Sequence, residues 1–299
     1  MSPIKLFVII VTYNGQRWYE RCFTSLRESE LPVQTIVIDN ASNDGTVEYI
    51  REYFPEIHLI ESKENLGFGR ANNIGMRYAL DHGCDYVFLL NQDAWIEPNT
   101  LSELVRVHQK YPEYGILSPM HLTRARDHLN MLLDDGKYNH DLLSDLYCHS
   151  INDVYTISYA NAAAWLISCN TLKMIGGFCP MFFYRGEDDD YMNRMKYHKM
   201  LMGLCPNTRV VHDTETRLEG SIELAKKAIS NNLHNILDIN SLEPFPLLCY
   251  HFRKYVLNMM KCKFQLTSYH CDKIKYIVLN YKELTDIRKQ HKTLNSHWL

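Results

Sequence analysis

The first 120 residues alternate between short apolar runs rich in β-branched side chains and stretches of helical composition. The predicted strands are Leu6–Val11, Gln34–Ile38, Ile57–Ile60 and Tyr86–Leu90. The predicted helices that follow them are Arg17–Glu28, Thr46–Tyr53, Gly69–Asp81 and Asn99–Lys110. Strands that are apolar along their whole length and are joined through helices are typical of a mostly parallel sheet with helices on both faces. The pattern therefore predicts an α/β fold whose ligands bind at the carboxyl ends of the strands.

The rest of the chain is less regular. Residues from about Met120 to Ser158 are predicted to form a loop-rich segment with a turn at Asp134–Gly136. The elements predicted after it, in order, are a strand region, a helix closed by a glycine pair, an acidic helix and a strand, at Ile157–Ile167, Asn170–Ile175, Glu187–Lys199 and Cys205–His212. The chain after Glu219 is mostly helical in composition, with a break near Pro244–Pro246. We therefore expect a domain over residues 1–220, with halves 1–119 and 120–220, and a helical C-terminal extension over 221–299.

Composition excludes several classes of protein. Hydrophobic residues make up 46% and charged residues 22% of the 299 positions, which excludes a disordered chain, a collagen and a coiled coil. The net charge of −3 argues against a nucleic-acid partner. The nine cysteines form no CxxC pair, so we expect no zinc or redox motif and a reducing, cytoplasmic setting. The run Leu6–Val11 is too short for a signal peptide, and no apolar run approaches the ~18 residues of a membrane span.

Charge is distributed unevenly along the chain. Residues Leu247–Leu299 hold ten Lys and Arg against three Asp and Glu, a net of +7, so the preceding residues carry −10. Aromatic residues are interleaved with cations there, as in Phe252-Arg253-Lys254-Tyr255. One interpretation is a helical extension with a solvated face. The other is an interfacial helix that binds an anionic membrane surface.

Polar residues follow the predicted strands directly. The first strand delivers Thr12, Tyr13 and Asn14, and the second delivers Asp39, whose carboxylate can accept hydrogen bonds from a ribose hydroxyl or a base N–H. One of Ser42, Asn43 and Asp44 is also expected to cap the next helix, but a cap does not explain Asp39 because it lies upstream of the turn.

The segment from Asn65 to Gly75 contains Gly67, Gly69, Arg70 and Asn73. Glycines allow a backbone to approach a ligand, a helix N-terminus favours phosphate, and Arg70 can contact a diphosphate. The order does not match the dinucleotide-binding fingerprint, so a plain strand-to-helix turn is the alternative.

Asn91-Gln92-Asp93 follows a buried strand, where a carboxylate needs a cation or hydrogen bonds to compensate for lost hydration. A divalent cation, Mg²⁺ or Mn²⁺, suits such oxygen ligands. A helix cap is a poor alternative because the next helix begins about six residues later. His212 ends a later strand and is either structural or a second ligand.

Four acids, Glu187 to Asp190, stand at the start of a predicted helix. They can complement the helix dipole, yet carboxylates this close repel one another, so at least one has an altered pKa or a bound partner. A carboxylate here can act as general base for an attacking hydroxyl. Arg194 lies four residues after Asp190 and is expected to pair with it.

These elements, in this order from about Ile4 to Glu219, resemble family 2 glycosyltransferases with the GT-A fold, and in particular the bacterial rhamnosyltransferase-like enzymes of O-antigen and capsule assembly. The resemblance implies an inverting enzyme that takes a sugar from a UDP- or dTDP-linked donor. It further implies a divalent cation and a saccharide or lipid-linked saccharide acceptor in bacterial surface polysaccharide synthesis, reached from the cytoplasmic face of the membrane. Residues 1–119 then form the donor-binding half and 120–220 the acceptor and catalytic half.

The resemblance also implies individual roles. Asp188 is similar to the general base, with Glu187 beside it, and Asp93 and His212 are similar to the metal ligands. The implied donor-binding residues are Thr12, Tyr13, Asn14, Asp39, Asn65, Gly67, Arg70, Asn73, Asn91 and Gln92. This chain departs from the family pattern in having Asn91 where the first Asp of the DxD motif stands, Cys179-Pro180 after Gly-Gly-Phe, and Asn161-Ala162-Ala163 in the small-residue stretch.

Two other functions remain open on sequence. A sugar-nucleotide nucleotidyltransferase has a related sheet but usually begins with a basic glycine-rich loop, where this chain has Thr12-Tyr13-Asn14-Gly15. A non-catalytic nucleotide-sugar-binding protein is the other alternative, and Asn91 in the metal motif is the residue that favours it.

Overall fold

The protein is described here by a computed structural model that covers residues 3–130, 140–183, 185–214, 233–295 and 297–299. The strands are β1 (Leu6–Thr12), β2 (Gln34–Asp39), β3 (His58–Glu61), β4 (Tyr86–Leu90), β5 (Ala94–Ile96), β6 (Tyr114–Leu122), β7 (Tyr155–Ile157), β8 (Ala164–Ser168) and β9 (Leu201–His212). The helices described before the extension are α1 (Gln16–Arg27), α2 (Thr46–Tyr53), α3 (Gly67–Asp81), α4 (Thr100–Lys110), α5 (His140–Tyr147), α6 (Cys169–Ile175) and α7 (Glu187–Tyr197).

These strands form one mixed sheet in the order β3-β2-β1-β4-β8-β6-β9-β5, with β7 also paired to β9. The pairs β1–β2, β1–β4 and β2–β3 are parallel, as the apolar strands predict. Strand β8 runs antiparallel to both β4 and β6, and β9 runs parallel to β6. Strands β1, β2, β4, β6 and β9 therefore all point the same way.

Alternate residues of each strand bury into opposite faces of the sheet. Phe7 and Ile9 of β1 pack with α3, α6 and α7, whereas Leu6, Val8 and Ile10 pack with α1 and α4. All five side chains are essentially inaccessible to solvent. The prediction of a sheet covered on both faces is confirmed.

The eight elements predicted in the first 120 residues are present, with ends within two residues of those expected. Sequence reasoning missed β5 and β6. Strand β6 contains Gly115 and Pro119, residues that normally interrupt strands, and its pairing with β9 shifts register between Pro119 and Met120. The predicted boundary at residue 119 lies inside β6, so both predicted halves contribute to one sheet.

The segment predicted to be loop-rich contains more regular structure than expected. Helix α5 and strand β7 both lie between Met120 and Ser158, and the predicted turn at Asp134–Gly136 lies outside the described residues. Strand β9 begins at Leu201, four residues earlier than predicted. The predicted boundary between residues 220 and 221 also lies outside the described residues.

The described part of the C-terminal extension includes the helices α8 (Pro244–Met260), α9 (Phe264–Leu279) and α10 (Tyr281–His291). Pro244 is the first residue of α8, a position that tolerates proline because its N–H would have no helical partner. A third apolar cluster joins the extension to the rest of the fold through Cys179, Phe182, Ile277 and Leu284. Within the described residues, each helix is too short or too polar to cross a bilayer.

Candidate active site

The predicted site residues collect at the edge of the sheet where the co-directional strands end. Asp39 is the last residue of β2, Asp93 follows β4, and His212 ends β9. The side chains of all three are almost fully buried. The strand directions therefore bring three separated parts of the sequence to one edge.

Asp39 is held by hydrogen bonds to its two carboxylate oxygens. Its Oδ1 accepts from the hydroxyls of Thr12, at 2.9 Å, and Ser42, at 2.6 Å, while Oδ2 accepts from the Ser42 backbone N–H at 2.9 Å. The predicted side-chain cap of α2 by Ser42, Asn43 or Asp44 is wrong, because Gly45 is the N-cap residue and the helix has no side-chain cap. Asp44 instead accepts from the backbone N–H of Thr46 within the turn, at 3.2 Å, and this contact does not involve Asp39.

Gln92 and Asn14 fix the loop after β1. The Gln92 side-chain amide accepts from the backbone N–H of Tyr13 at 2.8 Å and donates to its carbonyl at 3.2 Å. The Asn14 N–H donates to the Ser42 hydroxyl, and the Asn14 side chain accepts from the N–H of Asn43. The Tyr13 ring itself is 46% exposed.

The segment around Gly67 packs against the chain that leads into α7 and forms hydrogen bonds with it. Gly67 has φ +79°, and a Cβ there would lie 2.5 Å from the carbonyl oxygen of Phe183, so only glycine fits. Arg70 donates twice to the Pro180 carbonyl, at 3.0 and 2.8 Å. The Asn73 amide donates to the Phe178 carbonyl and accepts from its N–H, each at 2.8 Å.

Asn65, the remaining predicted residue of this segment, accepts from the Gly67 N–H at 2.9 Å. The polar groups of Asn65, Arg70 and Asn73 are thus engaged within the protein. Their contact with a donor remains a prediction. In the structure they position neighbouring backbone, as expected for the alternative, a plain strand-to-helix turn.

A carboxylate and an imidazole face each other after β4 and β9. Asp93 Oδ1 lies 3.3 Å from His212 Nε2, and the Asn91 amide nitrogen lies 3.4 Å from the same imidazole nitrogen. The backbone N–H of Asp213 donates to the Asp93 carbonyl, and Ala94 pairs with His212 across β5 and β9. Two ligands at right angles on one divalent ion, with bonds of about 2.1 Å, stand about 3 Å apart. The oxygen and nitrogen donors here fit an ion such as Mn²⁺.

The acids of α7 differ from Asp39 in their surroundings. Asp188 Oδ2 accepts from the Tyr159 hydroxyl at 2.9 Å, and Oδ1 accepts from the N–H of Asp189. Burial raises the pKa of Asp188, and the charge of Asp189 raises it further. Burial and the charge of Asp188 raise the pKa of Glu187 to about 8, and Glu187 Oε2 has no hydrogen-bond partner among the described residues.

The chain before β8 connects the two groups of acids. The Asn91 N–H donates to the Ala163 carbonyl at 2.9 Å, and Asn161 accepts from the N–H of Ala163. Four residues earlier, Tyr159 bonds Asp188. This stretch therefore places the Asp188 carboxylate on the same edge of the sheet as Asp93. Its irregular sequence gave no signal that Tyr159 donates a hydrogen bond to Asp188.

The family 2 glycosyl transferase model matches residues 7–155. The hexosyltransferase Agl10 of low-salt glycan biosynthesis from Haloferax volcanii is 25% identical over 73% of this chain and 71% of its own. The N-acetylglucosaminyl-diphospho-decaprenol L-rhamnosyltransferase of Mycobacterium tuberculosis is 26% identical over 69% of this chain and 75% of its own. This chain belongs to glycosyl transferase family 2. It is a glycosyltransferase, as the order of its motifs predicts.

The fold of this glycosyltransferase has a counterpart among solved structures. The crystal structure of GalNAc-T7 with UDP, GalNAc and Mn²⁺ superposes with a TM-score of 0.66 at 15% identity, over 99% of this chain and 56% of that one. The chain thus spans about half the length of that protein. The likeness confirms the predicted GT-A fold.

A second buried group lies on the far side of α7 in this glycosyltransferase. Arg194 pairs with Asp190 at 3.1 Å, as predicted, and donates to the carbonyls of Ile175 and Gly177. His291 of α10 lies 3.5 Å from Asp190, with the Cys179 thiol close by. Because Arg194 already pairs with Asp190, we assign this group to the attachment of the extension to α7.

Proposed function

We propose that this chain is an inverting, metal-dependent glycosyltransferase. It moves a sugar from a UDP- or dTDP-linked donor to a hydroxyl of a saccharide or lipid-linked saccharide acceptor in bacterial surface polysaccharide synthesis. The observation that carries the proposal is the placement of the Asp93–His212 pair and the Asp188 carboxylate on one edge of the sheet, joined through the chain from Tyr159 to Ala163.

The donor is proposed to lie over the ends of β1 and β2. Asp39 is oriented there by Thr12 and Ser42, and the exposed Tyr13 ring provides a surface for a base. The dTDP-rhamnosyl transferase RfbF of Shigella flexneri, 22% identical over 69% of this chain, supports a dTDP-linked donor. The UDP in the GalNAc-T7 structure supports a UDP-linked one.

Asp188 is proposed to take the proton from the acceptor hydroxyl. The acceptor oxygen then forms a bond to the anomeric carbon on the face opposite the nucleotide, and the bond from that carbon to the diphosphate oxygen breaks. The raised pKa of Asp188 suits this role because a more basic carboxylate removes a proton more effectively. Glu187, with a pKa of about 8, holds its proton at neutral pH and spares Asp188 a second adjacent charge.

Asp93 and His212 are proposed to hold the divalent cation, with Asn91 beside them. When bound, the cation neutralises charge on the departing nucleoside diphosphate. The His212 ring is kept in place by its burial and by the pairing of β5 with β9. The Mn²⁺ in the GalNAc-T7 structure supports a cation of this class.

The test is a product analysis. The purified chain is incubated with UDP- and dTDP-sugars, Mn²⁺ or Mg²⁺, and a short-chain polyprenyl-diphosphate saccharide, and the products are identified by mass spectrometry. We expect a glycosylated acceptor and an equal amount of nucleoside diphosphate. Pyrophosphate release from a nucleoside triphosphate would indicate the nucleotidyltransferase instead. Donor binding without turnover on any acceptor would favour the non-catalytic alternative.

A further inference from the structure

The outer part of the α8–α9 hairpin is a surface without a core of its own. We define this hairpin tip as residues 252–266, which contain the end of α8, the turn and the start of α9. The structure describes this whole stretch, and none of its residues is buried. The exposed large apolar side chains are Phe252, Val256, Leu257, Met259, Met260, Phe264 and Leu266.

The most exposed of these side chains stand at the turn itself. Met260 and Phe264 are 78% and 77% exposed, and Met259 is 54% exposed. Along α8 the exposed apolar residues Phe252, Val256 and Met260 recur every four positions and therefore lie on one face of the helix. A continuous exposed apolar face marks an interaction site because water-exposed apolar surface of this extent is costly.

The charge of the same surface is of one sign. Residues 244–271 contain no Asp or Glu, and their four cations, Arg253, Lys254, Lys261 and Lys263, all fall in the hairpin tip. All four are exposed. A cationic rim around an apolar face is complementary to a partner that carries anionic groups at its surface and has an apolar interior.

The base of the hairpin is fixed to the catalytic domain. Ile277 of α9 and Leu247 of α8 pack in one cluster with Cys179 and Phe182, in the segment that leads to α7. Between base and tip, His251 and His270 meet at 2.9 Å between their Nδ1 atoms and tie α8 to α9. The tip is therefore carried on an ordered stem, with its apolar residues directed away from the domain core.

We propose that the hairpin tip inserts into the interface of an anionic lipid bilayer. Apolar side chains enter the acyl boundary and the four cations bind lipid phosphates, each adding roughly fivefold to partitioning. A second copy of this chain is a weaker fit, because pairing two tips would bring eight cations together. The benefit of such docking, access to a lipid-linked acceptor, rests on the proposed function, whereas the docking itself does not.

The test is vesicle flotation of the full chain. Phosphatidylcholine vesicles are compared with vesicles that contain half phosphatidylglycerol, at 0.05 and 0.5 M NaCl. We expect binding to the anionic vesicles only, weakened at high salt. The charge variant replaces Arg253, Lys254, Lys261 and Lys263 by Gln, and the apolar variant is Met259→Ser, Met260→Ser and Phe264→Ser. Each should lower binding at least tenfold.

A matched control replaces four exposed cations of the catalytic domain by Gln, at Lys5, Lys63, Arg77 and Lys196. It removes the same charge and should float like the wild type. Equal flotation of all three variants, or no flotation of the wild type, overturns the proposal. Loss of a dimer in the apolar variant, seen by light scattering without any lipid binding, also overturns it and identifies a second copy as the partner.

The Asp188→Asn variant separates this proposal from the proposed function. It should float normally although its kcat for sugar transfer falls about 10³-fold. Flotation without any glycosyl transfer by the wild type would contradict the proposed function and leave the docking intact. Sugar transfer to a water-soluble acceptor without flotation would contradict the docking proposal and leave the proposed function intact.

Discussion

Asp39 and Asp188 stand at the same edge of the sheet but are stabilised differently. Asp39 receives three hydrogen bonds, from Thr12 and from the hydroxyl and N–H of Ser42. Asp188 lies beside Glu187 and Asp189, and its pKa is raised by burial and by the charge of Asp189. A carboxylate bound by several donors is fixed as an acceptor, whereas one among other acids gains affinity for a proton. We therefore propose donor binding for the first region and proton transfer for the second.

The sharpest test of this difference is Asp188→Asn. We expect kcat to fall about 10³-fold because the amide cannot accept the proton of the attacking hydroxyl. The Kd for the nucleotide sugar should change less than twofold. Steady-state kinetics and calorimetry measure the two quantities. Asp81→Asn, at an exposed carboxylate that ends α3, is the matched control and should keep full activity. Near-normal turnover of Asp188→Asn would show that another group is the base.

The next largest effect is expected at the proposed metal ligands Asp93 and His212. Removing the imidazole in His212→Ala should lower cation-dependent turnover about 10²-fold, since one ligand of the proposed ion is lost. Titration of activity with Mn²⁺, together with Mn²⁺ binding followed by electron paramagnetic resonance, checks this. Asn91→Asp is the counterpart, because a second carboxylate should tighten Mn²⁺ binding. An unchanged Mn²⁺ affinity in both variants contradicts the assignment of this pair.

The region of Asp39 should respond in binding rather than in rate. Ser42→Ala removes the hydroxyl that donates to Asp39 at 2.6 Å, so we expect the donor KM to rise about 5–10-fold, or about 1 kcal/mol, with kcat unchanged. Ser29→Ala, at an unrelated turn, serves as the control. A fall in kcat with an unchanged KM would remove the distinction drawn between the two regions.

Glu187 predicts a pH dependence of stability. Its pKa is about 8 in the folded chain and near 4.5 when unfolded, so the unfolded chain binds fewer protons between these values. The free energy of unfolding should therefore fall as pH rises from 5 to 8. Glu187→Gln should remove part of this decline, on the order of 1 kcal/mol. Urea unfolding at pH 5.5 and 8 measures the change in the free energy of unfolding between the two pH values. An identical change in the wild type and in Glu187→Gln would contradict the raised pKa.

The parallel part of the sheet and its polar strand ends could be predicted because both depend on local pattern. Apolar runs gave β1, β2 and β4, and the residues just after them included Asp39 and Asp93. Strand β6 could not be predicted in the same way, because tertiary pairing overrides the interruptions at Gly115 and Pro119.

The roles of the amides could not be predicted from sequence either. Gln92 and Asn73 stand in segments similar to donor-binding motifs, and an amide bonds a ligand or a backbone equally well. The structure shows both amides bonded to the backbones of other segments, at Tyr13 and Phe178. Tyr159 was missed because its partner Asp188 lies 29 residues away and no local pattern links them.

Two contacts described above have a consequence for building hybrid enzymes. They are the pair of hydrogen bonds between Asn73 and Phe178 and the close approach of Gly67 to the Phe183 carbonyl. These contacts join the donor-side helix α3 to the segment that sets the start of α7. Exchanging residues 1–119 with those of a relative to change the accepted sugar would place a foreign α3 against a native segment. A working hybrid should take residues 176–183 from the same parent, so that the two sides of this contact are inherited together.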